Sequence, residues 1–70
     1  MITGNELYTG LQFKYKGVGT LYTIELGKRV NVFWINKNNY KESIYYSVKE
    51  VCNNINEGNW IIEKTIYELW

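Results

Sequence analysis

The sequence predicts an α+β fold that is mainly β: an antiparallel meander of about five strands, in a small barrel-like or SH3-like sheet, with one helix near residues 48–57. Several short segments alternate apolar and polar residues, as strands with one buried face do. The links between them are short and contain glycine or asparagine, which is typical of hairpins. In residues 48–57, by contrast, the apolar residues recur at the spacing of a helix. At 70 residues, the chain is expected to be a single domain over residues 1–70.

The first three strands are predicted from this alternation and from the turn residues between them. In residues 11–16, leucine, phenylalanine and tyrosine alternate with glutamine and lysine, and the glycines of the 17–19 segment end the strand. The second strand covers residues 21–26, and the short link at 27–28 makes a hairpin with the third strand. That third strand, residues 29–36, is the most apolar of the set.

A fourth strand and the helix follow. The asparagine-rich residues 36–39 predict a loop, because asparagine tolerates left-handed backbone and caps its own turns, and residues 40–46 form the next strand. Ser47 and Glu50 have the spacing of a capping box, which starts a helix over residues 48–57. The apolar residues of this segment recur at helical spacing: Val48, Val51, Cys52 and Ile55.

The last strand is predicted over residues 59–70 and is longer than the others. Its end would project beyond a small sheet and is expected to find a partner. The expected interface residues are Ile66, Tyr67, Leu69 and Trp70. This tail either folds back on its own sheet or crosses to another subunit, and the small core favours the second alternative. A homo-oligomer is therefore expected.

The composition argues against an enzyme. The chain has no histidine, no aspartate and a single cysteine, Cys52, so the usual proton carriers, metal sites and disulfides cannot be built. We expect no catalytic residues, no cofactor and no metal. Trp34 and Trp60 are expected to anchor the core. The absence of a secretory signal and of a long apolar run predicts a cytoplasmic protein without a membrane partner.

The net charge of +1 conceals an asymmetry along the chain. Residues 14–41 hold six basic residues and one acidic residue, a net charge of +5, whereas residues 42–70 carry −3. One region of the molecule is therefore expected to attract anions. The alternative is that these charges are simply the solvated outer sides of strands.

An apolar strip with a basic rim is the candidate site. Phe33 and Ile35 alternate onto the second side of the third strand, with Leu21 and Tyr45 on the matching sides of its neighbours. Rings that stack on bases, cations that meet phosphates and amides that read base edges are how proteins hold nucleotides. The predicted ligand-binding residues are Lys28, Arg29, Asn31, Phe33, Lys37 and Tyr45. The alternatives are that the helix packs on this side, or that the strip is a dimer interface.

The chain also resembles small, mostly uncharacterised phage and prophage proteins of low-GC bacteria. The pattern that carries the resemblance is Tyr22, Thr23, Ile24, Val30, Val32, Trp34, Tyr46, Ser47, Val51, Ile55 and the segment from Gly58 to Trp60. The resemblance implies an inhibitor of a host factor or defence system, a group that includes oligomeric sponges for cyclic nucleotide signals.

We therefore expect a non-enzymatic, phage-type inhibitor of host defence that binds and sequesters an anionic nucleotide signal. Two alternatives remain open. One is an inhibitor that binds a host enzyme through the tail or the apolar strip. The other is a single-stranded nucleic-acid-binding module, against which the low net charge argues.

Overall fold

A computed structural model of the chain describes residues 1–63. The chain begins with a single 3-10 turn, Gly4–Glu6. Five strands and one helix follow in the order β1 Gln12–Tyr15, β2 Leu21–Leu26, β3 Val30–Ile35, β4 Lys41–Tyr46, α1 Val48–Asn56 and β5 Trp60–Ile62. The predicted class and element order are confirmed, with most boundaries within one or two residues.

The five strands form one antiparallel sheet in the order β4-β3-β2-β1-β5. The first four strands are a meander, and the chain then crosses through α1 to add β5 beside β1. Within residues 1–63 the sheet is open, with β4 and β5 at its two edges, so it does not close into the barrel that was one form of the prediction. The last strand was predicted over residues 59–70, and of that range the structure describes β5 and Glu63.

The helix begins at the predicted capping box. The Glu50 backbone N–H donates to Ser47 Oγ at 3.1 Å, and the Ser47 N–H donates to Glu50 Oε1 at 3.0 Å. These two bonds satisfy backbone donors that the first helical turn leaves without partners. Val51 and Cys52 are the buried residues of the helix. Their packing fixes which side of the sheet α1 covers.

The core lies between the helix and one side of the sheet, which we call the covered face. Ile24 on β2 and Val32 on β3 are Cα partners on this face and are fully buried, as are Phe13, Val30 and Val51. Leu7, Leu11, Cys52 and Trp60 complete the core. Burial of this small apolar set is the main source of stability. The position of the helix was left open by the sequence.

Candidate functional site

The second side of the sheet, which we call the open face, is not covered by the helix. The strand register places Leu21, Phe33, Ile35, Tyr45 and Ile61 on it. Phe33 is half-buried, and the other four are exposed. The predicted apolar strip is therefore present, and the alternative in which the helix packs on it is wrong. An exposed group of large apolar side chains is typical of a binding surface.

A hollow lies at the end of the open face where β2 turns into β3. It has a volume of about 470 Å³, within the range of small-molecule sites, roughly 300–1,000 Å³. We call it the turn concavity, and its lining residues are Glu25, Leu26, Gly27, Lys28, Arg29, Asn31 and Tyr45. Four of the six predicted ligand-binding residues, Lys28, Arg29, Asn31 and Tyr45, thus meet in one hollow.

Three of these side chains form a row across adjacent strands. Glu25 on β2 is the Cα partner of Asn31 on β3, and Asn31 is the partner of Tyr45 on β4. Side chains at directly opposite positions lie about 4.5–5.5 Å apart at Cβ. A carboxylate, an amide and an aromatic ring therefore stand side by side on the open face. Together they can accept hydrogen bonds from a base edge and stack on its flat side.

Asn31 has an unusual environment. Its Oδ1 is shielded from solvent and accepts no hydrogen bond within residues 1–63. A buried carbonyl oxygen without a donor costs about 1–3 kcal/mol. Polar atoms of this kind are uncommon in folded proteins and are frequent at functional sites. Asn31 also lines the turn concavity, and its Oδ1 becomes available to a ligand there once the side chain turns outwards.

Lys28 and Arg29 supply positive charge to the same place. Both are exposed, and the salt bridge found among residues 1–63 is elsewhere, between Lys14 Nζ and Glu63 Oε1 at 3.6 Å. The two cations also line an adjoining hollow of about 400 Å³ that reaches Ser47 and the start of α1. The capping box engages the Ser47 and Glu50 amides there, and the two side-chain cations supply the full positive charges that would attract an anion.

The remaining two predicted residues, Phe33 and Lys37, lie apart from the turn concavity. They line a second hollow of about 460 Å³ at the opposite end of the open face, together with Leu21 and Ile35. Lys41 Nζ lies 4.5 Å from the centre of the Phe33 ring, a cation–π contact. The predicted site is therefore divided between two hollows: four of its residues line the turn concavity, and Phe33 and Lys37 line the second hollow.

Aromatic rings also form a cluster on the covered face. Phe13 stacks on Trp60 with ring centres 4.3 Å apart and on Tyr22 at 5.4 Å. Trp60 is buried, as predicted, whereas Trp34 is half-buried and contacts Tyr22 edge-on. Phe13 and Trp60 belong to the core, and Tyr22 packs against it, so the cluster contributes to the core.

Within residues 1–63, the largest pKa shift belongs to Tyr15, whose ring stacks on those of Phe13, Tyr22 and Trp60. Its hydroxyl lies 3.3 Å from that of Tyr46. Burial raises the pKa of Tyr15 far above its ordinary value, and the hydrogen bond with Tyr46 raises it further. The hydroxyl is therefore neutral near pH 7 and is not a nucleophile there.

Cys52 has the environment of a structural residue. It is buried, and its thiol donates to the Thr3 carbonyl oxygen at 3.4 Å. Burial, followed by the negative charge of Glu6, raises the pKa of the thiol. A thiol with a raised pKa reacts slowly. Residues 1–63 bring together no group of three or more side chains that could hold a metal ion.

Three residues that line the turn concavity were not predicted, Glu25, Leu26 and Gly27, and of these Glu25 brings a charged side chain. Alternation places it on the same side of β2 as Leu21, but only the strand register shows that it neighbours Asn31. The predicted interface residues Ile66, Tyr67, Leu69 and Trp70 lie outside the described residues.

Comparisons with known proteins give no assignment. The chain matches no protein-family model, and no curated protein or solved structure is significantly similar to it. Phage origin and action on host defence stay predictions. In the described part of the chain, no helix has the length and apolar character needed to cross a membrane.

Proposed function

We propose that the protein binds and sequesters an anionic nucleotide at the turn concavity, as a non-enzymatic, phage-type inhibitor of host defence that works in the host cytoplasm. The observation that carries the proposal is the convergence of Lys28 and Arg29 with the row of Glu25, Asn31 and Tyr45 in one hollow. The two cations match the phosphate of a nucleotide, and the ring, the amide and the carboxylate of the row match its base.

The row sets the expected orientation of the ligand. The base stacks on Tyr45, whose side chain is 61% exposed. Its N–H groups donate to the Glu25 carboxylate and to Asn31 Oδ1, which is shielded in the free protein and must turn towards the ligand. The phosphate lies towards Lys28 and Arg29, because a phosphate beside Glu25 would be repelled. A base with adjacent N–H donors is therefore favoured over one that presents acceptors alone.

Binding without turnover is supported by the residues present. The chain has neither histidine nor aspartate, the turn concavity contains no cysteine, serine or threonine, and its carboxylate stands alone. Cleavage of a phosphodiester usually requires a metal ion or an activated nucleophile with a base. Sequestration requires only affinity.

Thermal stability in the presence of nucleotides tests the proposal. A panel of linear and cyclic mono- and dinucleotides would be added to the protein while the melting temperature is followed by intrinsic fluorescence. A ligand at 100 times its dissociation constant adds roughly 2.7 kcal/mol to the free energy of unfolding. This corresponds to a rise of about 10–20 °C in a domain of this size.

Two variants localise the effect. Arg29→Gln should weaken binding about tenfold, because it removes a charge-assisted hydrogen bond to phosphate. Lys16→Gln removes the same charge from the exposed turn after β1, which lines none of the three hollows, and should leave binding unchanged. Equal loss in both variants would show that binding depends on overall charge rather than on the turn concavity.

A second function is favoured by a separate observation. Leu21, Ile35 and Ile61 extend the apolar part of the open face well away from the turn concavity. Such a surface suits a protein partner, so inhibition of a host enzyme by direct binding is the alternative. It predicts no stabilisation by any nucleotide, and loss of inhibition in Ile35→Asp.

Salt dependence separates a third class of ligand. A single-stranded nucleic acid contacts many phosphates, so its affinity falls steeply as salt rises. A small nucleotide held by two cations should show a shallow dependence. A steep one would favour the nucleic-acid-binding module over sequestration.

A further inference from the structure

The strand β4 forms one edge of the sheet along its whole length. It pairs with β3 through six residue pairs, from Val30↔Tyr46 to Ile35↔Lys41. Within residues 1–63 no other strand lies on its outer side. The edge at β5 is only three residues long in the described part of the chain. An unpaired strand of this length can pair with another chain.

The hairpin between β3 and β4 identifies the backbone groups that point outwards. The Asn36 N–H donates to the Tyr40 carbonyl oxygen at 2.8 Å, so this pair is a hydrogen-bonded one. Hydrogen-bonded and non-hydrogen-bonded pairs alternate along antiparallel strands. The even-numbered residues of β4 therefore bond to β3. Lys41, Ser43 and Tyr45 direct their N–H and C=O groups away from the sheet.

The hydrogen bonds that β2 makes with the β1 segment give the same assignment. The Ile24 N–H donates to the Leu11 carbonyl at 2.9 Å, and the Ile24 carbonyl accepts from the Gly10 N–H at 2.8 Å. Ile24 thus bonds towards β1, and Thr23 and Glu25 bond towards β3. Continuing the alternation across β3 again leaves the odd-numbered residues of β4 facing outwards.

We propose that β4 pairs antiparallel with β4 of a second copy of this chain, about a two-fold axis through Ser43 and perpendicular to the sheet. Ser43 then faces Ser43 of the second copy, and Lys41 faces Tyr45. All three outward-facing residues find partners, and the register forms about six backbone hydrogen bonds. A two-fold contact of this kind is the commonest way in which soluble proteins self-associate.

Neighbouring registers are less favourable. Centring the axis on Glu42 would place two glutamates opposite one another, and like charges in directly opposed positions are destabilising. Centring it on Ile44 would set Lys41 against Ser47, where the chain has already left the strand to begin α1. The Ser43 register is the one that uses every outward group without opposing like charges.

The side chains of β4 permit this approach. Lysine on an edge strand commonly blocks pairing by projecting past the edge. Lys41 instead reaches back over the ring of Phe33 on the neighbouring strand. Ile44 and Tyr45 are exposed large side chains that the contact would cover. In the dimer the two open faces become continuous, and Lys41 of the second copy stands opposite Tyr45 at the turn concavity.

Charge substitution at Ser43 tests the register. Two positions facing each other in a hydrogen-bonded pair have Cα atoms about 5.5 Å apart. Ser43→Lys alone and Ser43→Glu alone should each weaken the dimer about tenfold, because like charges oppose. A mixture of the two variants should recover a heterodimer. Sedimentation equilibrium over a concentration series measures all three.

Proline at the same position tests the backbone contact. The Ser43 N–H is not used within the sheet, so Ser43→Pro should leave the fold of the monomer intact and abolish the dimer. Circular dichroism checks that the fold is retained. Ser43→Ala keeps the N–H and should remain dimeric. A wild-type monomer at every concentration would overturn the proposal. So would a dimer that tolerates proline and both charged variants. These outcomes do not depend on nucleotide binding.

Discussion

Replacing Asn31 with leucine is expected to stabilise the fold while weakening ligand binding. The substitution removes the Oδ1 acceptor that is shielded from water without a donor, an arrangement that costs about 1–3 kcal/mol. The side chain as a whole is half-buried, so we expect the lower end, about 1 kcal/mol. In a domain of this size that raises the melting temperature by about 4–8 °C.

Urea titration and thermal melts followed by circular dichroism measure the change. Gln12→Leu is the matched control, because Gln12 is also half-buried on the open face and has no shielded acceptor without a partner. Its effect should stay within about 0.5 kcal/mol. Loss of stability in Asn31→Leu, or an equal gain in Gln12→Leu, would refute the reasoning. Unchanged nucleotide affinity in Asn31→Leu would remove Asn31 from the site.

Three further predictions concern the fold. Ser47→Ala removes the helix cap and should lower the free energy of unfolding by about 1 kcal/mol in urea titrations; no loss would show that the capping box is dispensable. Ile24→Ala on the covered face should cost about 2–5 kcal/mol, whereas Ile35→Ala on the open face should cost less than about 0.5 kcal/mol; equal costs would contradict the assignment of the two faces. The pKa of Tyr15 is higher in the folded protein than the value of 10.0 expected in the unfolded chain. Tyr15 therefore contributes fully to the free energy of unfolding below pH 10.0, and this contribution is lost as the pH rises above 10.0. The melting temperature should therefore fall as pH rises beyond 10.0, and less steeply in Tyr15→Phe; parallel curves would contradict this.

Local signals allowed most of the fold to be predicted. The alternation in residues 21–26 gives the bounds that β2 has, and the Ser47 and Glu50 pair sets the start of α1. These features depend on neighbours within a few residues, which a sequence shows directly. The order of the sheet follows from short links, except for β5, whose pairing with β1 is non-local.

The candidate site was only partly predictable because it depends on register and on the position of the helix. Alternation placed Phe33 and Tyr45 on one side of the sheet, but it could not show that α1 covers the other side. Phe33 and Lys37 do not reach the turn concavity because they lie towards the other end of β3 and in the loop that follows it. The neighbouring position of Glu25 and Asn31 is likewise a consequence of strand pairing.

Native mass spectrometry of the protein, purified gently from bacteria with an active nucleotide-signalling defence, tests the central claim most directly. The protein is expected to retain a nucleotide, seen as an added mass of a few hundred daltons per site, and Arg29→Gln should retain it at lower occupancy. A protein of unmodified mass from cells in which the signal is being made would contradict sequestration at the turn concavity.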